Sequence, residues 1–537
     1  MAACQNEVDI VRYLLSKNAD PNVPDSDGDT ALSSAARFGH TELVPLIAEA
    51  KGDVNYVIAD SGDTPMHSAV HDPDTVSVLF DCGADPNIVS GQLRTPLDHA
   101  ISMGYLDTVK VIFCKRKDKP NLTLASTQGA LQEAVLSNYA DVVSFVLEAG
   151  ADVNAVDNNN QPLLSTAMMP TNNEDLVRAI LEYRPDVNIQ DTAGNTILHL
   201  VDRWTPITLV RLIVNAGAKL DTMNNKGFTP LMSAIWGQNQ EISEYLLSKP
   251  AVTATLNMPS FRDRATPLHL ACERGRPEDV KLLIERGSDV NFDCTGRYGT
   301  PLLTATLRDG ATLDTERRQI IELLLEKGAV PTVSSGDFRH PIISASLTCT
   351  AWEVELLIKA KAPVDVQDSF DRKPVHLACY NSLEVLKALN IPDSDFAARD
   401  AVGRVPLHYA VLSGKVDLVE EVMARSERVG IGIDVKDRDG WTPLLWAARA
   451  SDVGTWGWRR SPEYDGVISF LFAQGASTMT SAPGLNREWT ALDIANYHRA
   501  YEYVLPNATA PWKGYRAKVT PVTPITRQKR HMADLTL

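Results

Sequence analysis

Hydrophobic and polar positions along this chain alternate in short blocks, and the blocks repeat. The run TPLHLACERG (266–275) sets Leu268, Leu270 and Ala271 at helical spacing behind a Thr-Pro start. The run EDVKLLIERG (278–287) follows, acidic at its beginning, with Val280, Leu282, Leu283 and Ile284 on the opposite packing face. The pattern predicts two short helices joined by a turn. Thr266 is placed to cap the first helix, Pro267 fits its first position, where no N–H is needed, and Gly275 suits a left-handed terminator. The phrase GSDVN (287–291) and a later Gly-containing turn, such as DRDG at 437–440, make a tight projecting loop.

This unit recurs. Its starts fall, in strong or degraded form, at Thr30, Thr64, Thr95, Gly129, Gln161, Thr196, Thr229, Thr266, Thr300, His340, Lys373, Val405, Thr442 and Thr490. The first and last lie 460 residues apart over 13 intervals, a mean near 35. The best copies are TPLHLA (266–271), KPVHLA (373–378) and VPLHYA (405–410), and phrases such as GADPN (83–87) and GADVN (150–154) follow the second helices. Helices of about 8–10 residues do not persist alone in water, so each unit depends on its neighbours.

These words resemble the ankyrin repeat, whose usual period is about 33 residues. The resemblance runs through residues 2–500. It implies an all-α solenoid of stacked helix-turn-helix units with projecting β-turn loops, fourteen to fifteen repeats over residues 1–505. A stack of this kind offers one long concave surface whose side chains vary without disturbing the core.

The array is irregular in four places. Excess residues at 307–318 and 450–466 read as inserted loops, the second carrying Trp456, Trp458, Arg459 and Arg460. Trp and Arg are the residues most enriched at binding hot spots, so Trp456 and Trp458 either fold back on the array or meet a partner. Residues 2–15 look like the end of one helix and a complete second helix, so the first repeat is expected to be incomplete. Residues 506–537 are expected to form a basic, Pro- and Thr-rich disordered tail.

Composition narrows the partners. The 52 basic and 68 acidic residues give a net charge of −16, which repels phosphate backbones, so no nucleic-acid partner is expected. The tail is the exception, with Lys513, Arg516, Lys518, Arg527, Lys529 and Arg530 against Asp534. TRQKRH (526–531) is a candidate import signal, with Thr520 and Thr523, each before a proline, as candidate phosphate acceptors beside it. CKRKDK (114–119) follows a second helix, where cations complement the dipole. No apolar stretch reaches the roughly 18–20 residues of a membrane span, and the N-terminus lacks a signal-peptide pattern. Seven scattered cysteines do not read as a disulfide framework. The chain is expected to be intracellular, cytoplasmic or nuclear through its tail, and monomeric. The sequons at Asn121 and Asn507 are then unused.

No catalytic or cofactor motif stands out. GxSxG, Walker A and strand-linked GxGxxG words are absent, and no cofactor is expected. His269/Cys272 and His376/Cys379 share helical i, i+3 spacing, which suits either a metal or the repeat's own structure. The repeat reading is favoured, because histidine recurs there at His67, His199 and His408, and the resemblance assigns this side chain to tying the helix start to the neighbouring loop.

The resemblance also names a surface. The two residues after the Ala-Ala of each first helix face the concave side in that family. Here they are Arg37 and Phe38, Ser102 and Met103, Leu136 and Ser137, Met168 and Met169, Arg203 and Trp204, and Trp236 and Gly237. Further on they are Glu273 and Arg274, Leu307 and Arg308, Leu347 and Thr348, Tyr380 and Asn381, and Leu412 and Ser413. Many are apolar, and exposed apolar surface marks interaction sites, although packing against the adjoining loops explains the same pattern. Trp204 and Trp236, at nearly equivalent positions, are expected side by side. The leading expectation is a non-enzymatic scaffold or adaptor gripping a protein or extended peptide, centred on Met168, Trp204 and Trp236. The alternative is the substrate-recognition part of a larger enzyme or signalling protein with its catalytic domain upstream of Met1.

Overall fold

The structure, a computed structural model, describes residues 1–115, 125–168, 173–294, 298–307, 314–332, 336, 338–450, 462–477, 481–483 and 488–490. It forms two compact units, Met1–Leu246 and Leu247–Leu537. Each is built from short helices, as the repeating pattern predicts.

In the first unit the threonine starts behave as caps. Thr30, Thr95 and Thr229 accept the backbone N–H of the third helical residue, at 3.2, 3.2 and 3.3 Å. Where that residue is histidine, the ring does two jobs. His67 Nδ1 accepts the Thr64 N–H at 3.1 Å while Nε2 donates to the Arg94 carbonyl of the next repeat at 2.9 Å. His199 does the same between Thr196 and Phe228. One side chain thus closes a helix end and joins two repeats. Asparagines supply a second tie: the Asn22, Asn55, Asn154 and Asn188 side-chain carbonyls accept the N–H of Asp53, Asp85, Asp186 and Lys219. A third runs from loop tip to loop tip, from Gly91 N–H to Ser61 O and from Asn225 N–H to Ala193 O. The core between the helices is apolar, with Leu43, Ile47, Leu79, Ile101 and Ile112 fully buried, each contributing about 1.5–3 kcal/mol.

The second unit repeats the scheme. His269, His376 and His408 accept N–H groups from Thr266, Lys373 and Val405 and donate to the carbonyls of Gly299, Ala398 and Trp441, all at 3.0 to 3.3 Å. Burial lowers all three to about 4. Both ring nitrogens of His269 and His376 are engaged, and Cys272 and Cys379 are buried, so these pairs are structural. Gly275 adopts the left-handed conformation expected of it, ending the helix Pro267–Arg274.

Several expectations shift. The start at Thr196 yields only a single 3-10 turn, Ile197–His199, in place of a full first helix. Both expected inserted loops are partly helical: residues 314–318 lie in Asp314–Glu326 and residues 462–466 in Pro462–Ala473. Ser481–Pro483 and Glu488–Thr490 pair as antiparallel strands, a small exception to an otherwise helical fold.

Candidate functional site

The inner face of the first unit is where loop tips meet the ends of first helices. One cavity of about 480 Å³ shows the arrangement. Its lining combines Asp60, Ser61 and Asp63 from one loop, Ser90, Gly91, Gln92 and Arg94 from the next, and His99, Ser102, Met103 and Glu133 from first helices. Arg94 crosses it to Glu133 in a bidentate pair, Nη1–Oε2 2.8 Å and Nη2–Oε1 2.5 Å. Charge-assisted and two-pronged, this contact fixes the cavity's side.

The expected apolar stripe is exposed at five of its six positions described in the first unit. Phe38, Met103 and Leu136 stand at helix ends with much of their surface open. Trp204 is 74% exposed and Trp236 44%. Met168 corrects the expectation: only 3% exposed, it ends the helix Leu163–Met168 inside the core. Met169, Arg308, Trp456, Trp458 and the tail lie outside the described residues.

Trp204 is exposed on a rigid support. The Asp202 carboxylate accepts the Trp204 N–H at 2.9 Å and the Thr205 hydroxyl at 2.8 Å. Asn239, from the following repeat, donates to the carbonyls of Asp202 and Thr205 at 2.9 and 3.0 Å. The Arg203 guanidinium lies 5.0 Å from the Trp204 ring centroid. Gly237, next to Trp236, comes so close to Val201 and Asp202 that a Cβ there would sit 3.1 Å from the Val201 carbonyl oxygen. The segments carrying the two tryptophans therefore touch. Trp236 itself meets Phe228 of its own loop edge-on at 6.2 Å, so packing against a loop explains part of its burial. Trp204 has no such cover from its loop.

In the second unit the corresponding positions are closed. Arg274, Leu307, Leu347, Tyr380 and Leu412 are all half-buried. Below them, Arg372 and Arg404 are buried in ion pairs with Asp368 and Asp400, 2.7 Å each. Arg404 is sandwiched by Tyr409 and Trp446, at 4.9 and 5.6 Å from the ring centroids.

Two features escaped the sequence reading. Arg94 occupies the loop position of Arg372 and Arg404, but the residue four places earlier is Ser90, where theirs is aspartate. Lacking that partner, Arg94 reaches out to Glu133. In TPLDHA (95–100) the histidine also comes one place late. Asp98 takes its tying role, accepting the Thr95 N–H at 2.8 Å and the Thr127 hydroxyl at 2.5 Å, and His99 turns onto the inner face. The displaced histidine is visible as a register break in the repeat, and Ser90 as a substitution of the loop aspartate.

The family profile for ankyrin repeats (3 copies) matches residues 1–90, 72–157, 163–258, 251–335 and 342–434. The chain belongs to the ankyrin-repeat family. It is 25% identical over 532 residues to "Ankyrin repeat domain-containing protein SAT10" of Stachybotrys chartarum, covering 94% of this chain and 26% of that protein. It is 28% identical over 375 residues to "Transient receptor potential cation channel subfamily A member 1" of Homo sapiens, covering 60% and 32% respectively. The chain thus spans a third or less of these relatives. Among solved structures, the ankyrin repeat domain of Bcl-3 is 26% identical with a TM-score of 0.38, covering 42% of this chain and all of that one. Ankyrin repeats are generally protein–protein interaction modules, and the fold is typically non-catalytic. Among the described residues no helix is long and apolar enough to cross a membrane.

Proposed function

We propose that this chain is a non-enzymatic scaffold or adaptor that holds a protein or extended peptide on the inner face of residues 1–246. The observation that carries this reading is Trp204, a large aromatic held open by hydrogen bonds at both ends of its turn. A preordered aromatic gives contact area at little entropic cost, which is what an interface anchor requires. Trp236, on a touching segment, extends the same patch. The test is affinity purification of the native chain beside the Trp204→Ala/Trp236→Ala double variant. Proteins recovered by the native chain should disappear with the variant, at unchanged helical content; equal recovery sinks the assignment.

A second reading has one observation in its favour: both relatives named above are about three to four times longer than the stretch they share with this chain. On that reading the chain is the recognition part of a larger enzyme or signalling protein. Its coding sequence read outward in frame distinguishes the two: a catalytic or membrane domain favours the second reading, and immediate stops favour the first.

A further inference from the structure

The first unit carries the molecule's entire net charge. Residues 1–246 hold 32 acidic and 16 basic side chains, a net charge of −16, whereas residues 247–537 hold 36 of each. Within this acidic unit, the cavity between the loops of Asp60 and Ser90 has an unbalanced lining. Arg94 and Glu133 neutralise one another. Asp60 and Asp63 have no ion-pair partner among the described residues, and neither do the ring nitrogens of His99 find a hydrogen-bond partner there. Burial lowers the His99 pKa, with Asp63 pulling against it, so the ring is neutral at pH 7. The space therefore combines two uncompensated carboxylates, a neutral imidazole acceptor and the thioether of Met103 at its rim.

We propose that this cavity receives a basic side chain, arginine or lysine, from an extended partner segment whose neighbouring apolar residue lies on Met103 and Leu136. This rests on the reading of the inner face as a binding surface, and it names the chemistry of what binds. A cation entering here meets Asp60 and Asp63 in a site partly shielded from water, where attraction is stronger than in bulk solvent. The cavity, about 480 Å³, has the volume for such a side chain. The surrounding net charge of −16 draws basic segments in and turns acidic ones away. A second copy of this chain is a poorer occupant, since its like net charge of −16 opposes approach to this acidic unit.

Fluorescence anisotropy of the full chain with short labelled peptides tests this. The probes are a serine-spaced arginine–leucine peptide and its counterparts with citrulline or glutamate in place of arginine. The arginine peptide should bind at least about tenfold more tightly than the citrulline one, and the glutamate peptide least. Asp60→Asn/Asp63→Asn should erase the arginine preference; both side chains are solvent-accessible, and circular dichroism checks that the fold is kept. Equal affinity for arginine and citrulline peptides, with both lost in Trp204→Ala/Trp236→Ala, overturns the pocket and keeps the parent reading. No binding of any peptide overturns both. Self-association of the native chain that Asp60→Asn/Asp63→Asn relieves would make the occupant a second copy, and it too overturns the proposal.

Discussion

The same repeat position is handled in opposite ways in the two units. In the second, the fourth residue after the helix start is Tyr409 or Trp446, and the loop above it ends in Arg404 or Trp441. These close on one another: the Tyr409 hydroxyl donates to Asp400 at 2.6 Å, and Trp446 Nε1 donates to Asp437 at 2.9 Å. In the first unit the same position is His99 or Glu133, the aspartate below Arg94 has become Ser90, and the space between loop and helix stays open. Closure stabilises a stack; openness leaves a surface. The fold tolerates both because histidine and asparagine ties between repeats are common to the two units, so the inner face is free to differ.

Acid should separate the units most strongly. His269, His376 and His408 titrate near 4 in the folded state against about 6.5 when unfolded, so the unfolded chain binds more protons between those values. The stability these buried neutral rings contribute is complete above about pH 6.5 and is lost as pH falls toward 4, roughly 3 kcal/mol for each ring. His67 and His199 are lowered in the same direction. Hydrogen exchange followed by mass spectrometry on acidification should show residues 266–445 opening first. Simultaneous opening of both units would remove this difference between them.

The two arginines provide the next contrast. Arg404→Leu leaves Asp400 buried without its cation and should cost about 3–5 kcal/mol. Arg94→Leu breaks a pair that water reaches on both sides, and should cost no more than about 1 kcal/mol. Denaturant unfolding of the two variants measures the gap; similar losses would mean that the inner face of the first unit is as closed as that of the second. An effect between those two is expected from Asn239→Ala, which removes a side-chain donor from two carbonyls and should cost about 1–3 kcal/mol. Its sharper readout is binding: with the turn of Trp204 unclamped, partner affinity should fall even where the chain remains folded.

Much of this was legible from residue pattern alone. Threonine before proline marked helix starts, Gly275 marked a helix end, and the recurring histidine marked the tie between repeats. The apolar residues after each first helix were the right place to seek surface, and in the first unit most of them are surface. Met168 failed because its side chain, at the end of the helix Leu163–Met168, is buried in the core and not turned to the inner face. Arg274 and Tyr380 were named alongside Trp204, but a stripe of equivalent positions cannot reveal which loops fold down over it. Beside Arg94, Arg372 and Arg404 it depends on whether serine or aspartate sits four residues earlier, a pairing across the loop that binary patterning does not encode. The cavity beside His99 was hidden for a related reason: a one-residue slip in TPLDHA reads as degradation of the motif, yet it exchanges a structural histidine for one that lines the inner-face cavity.

The proposed function places partners on residues 1–246 and not on the half-buried inner positions of the second unit. The most direct measurement compares the affinity of a captured partner for two double variants, Trp204→Ala/Trp236→Ala and Arg274→Ala/Tyr380→Ala. A loss of at least about a hundredfold is expected in the first, as for paired interface anchors, and less than about fivefold in the second. Equal losses, or a larger loss from Arg274 and Tyr380, would contradict it.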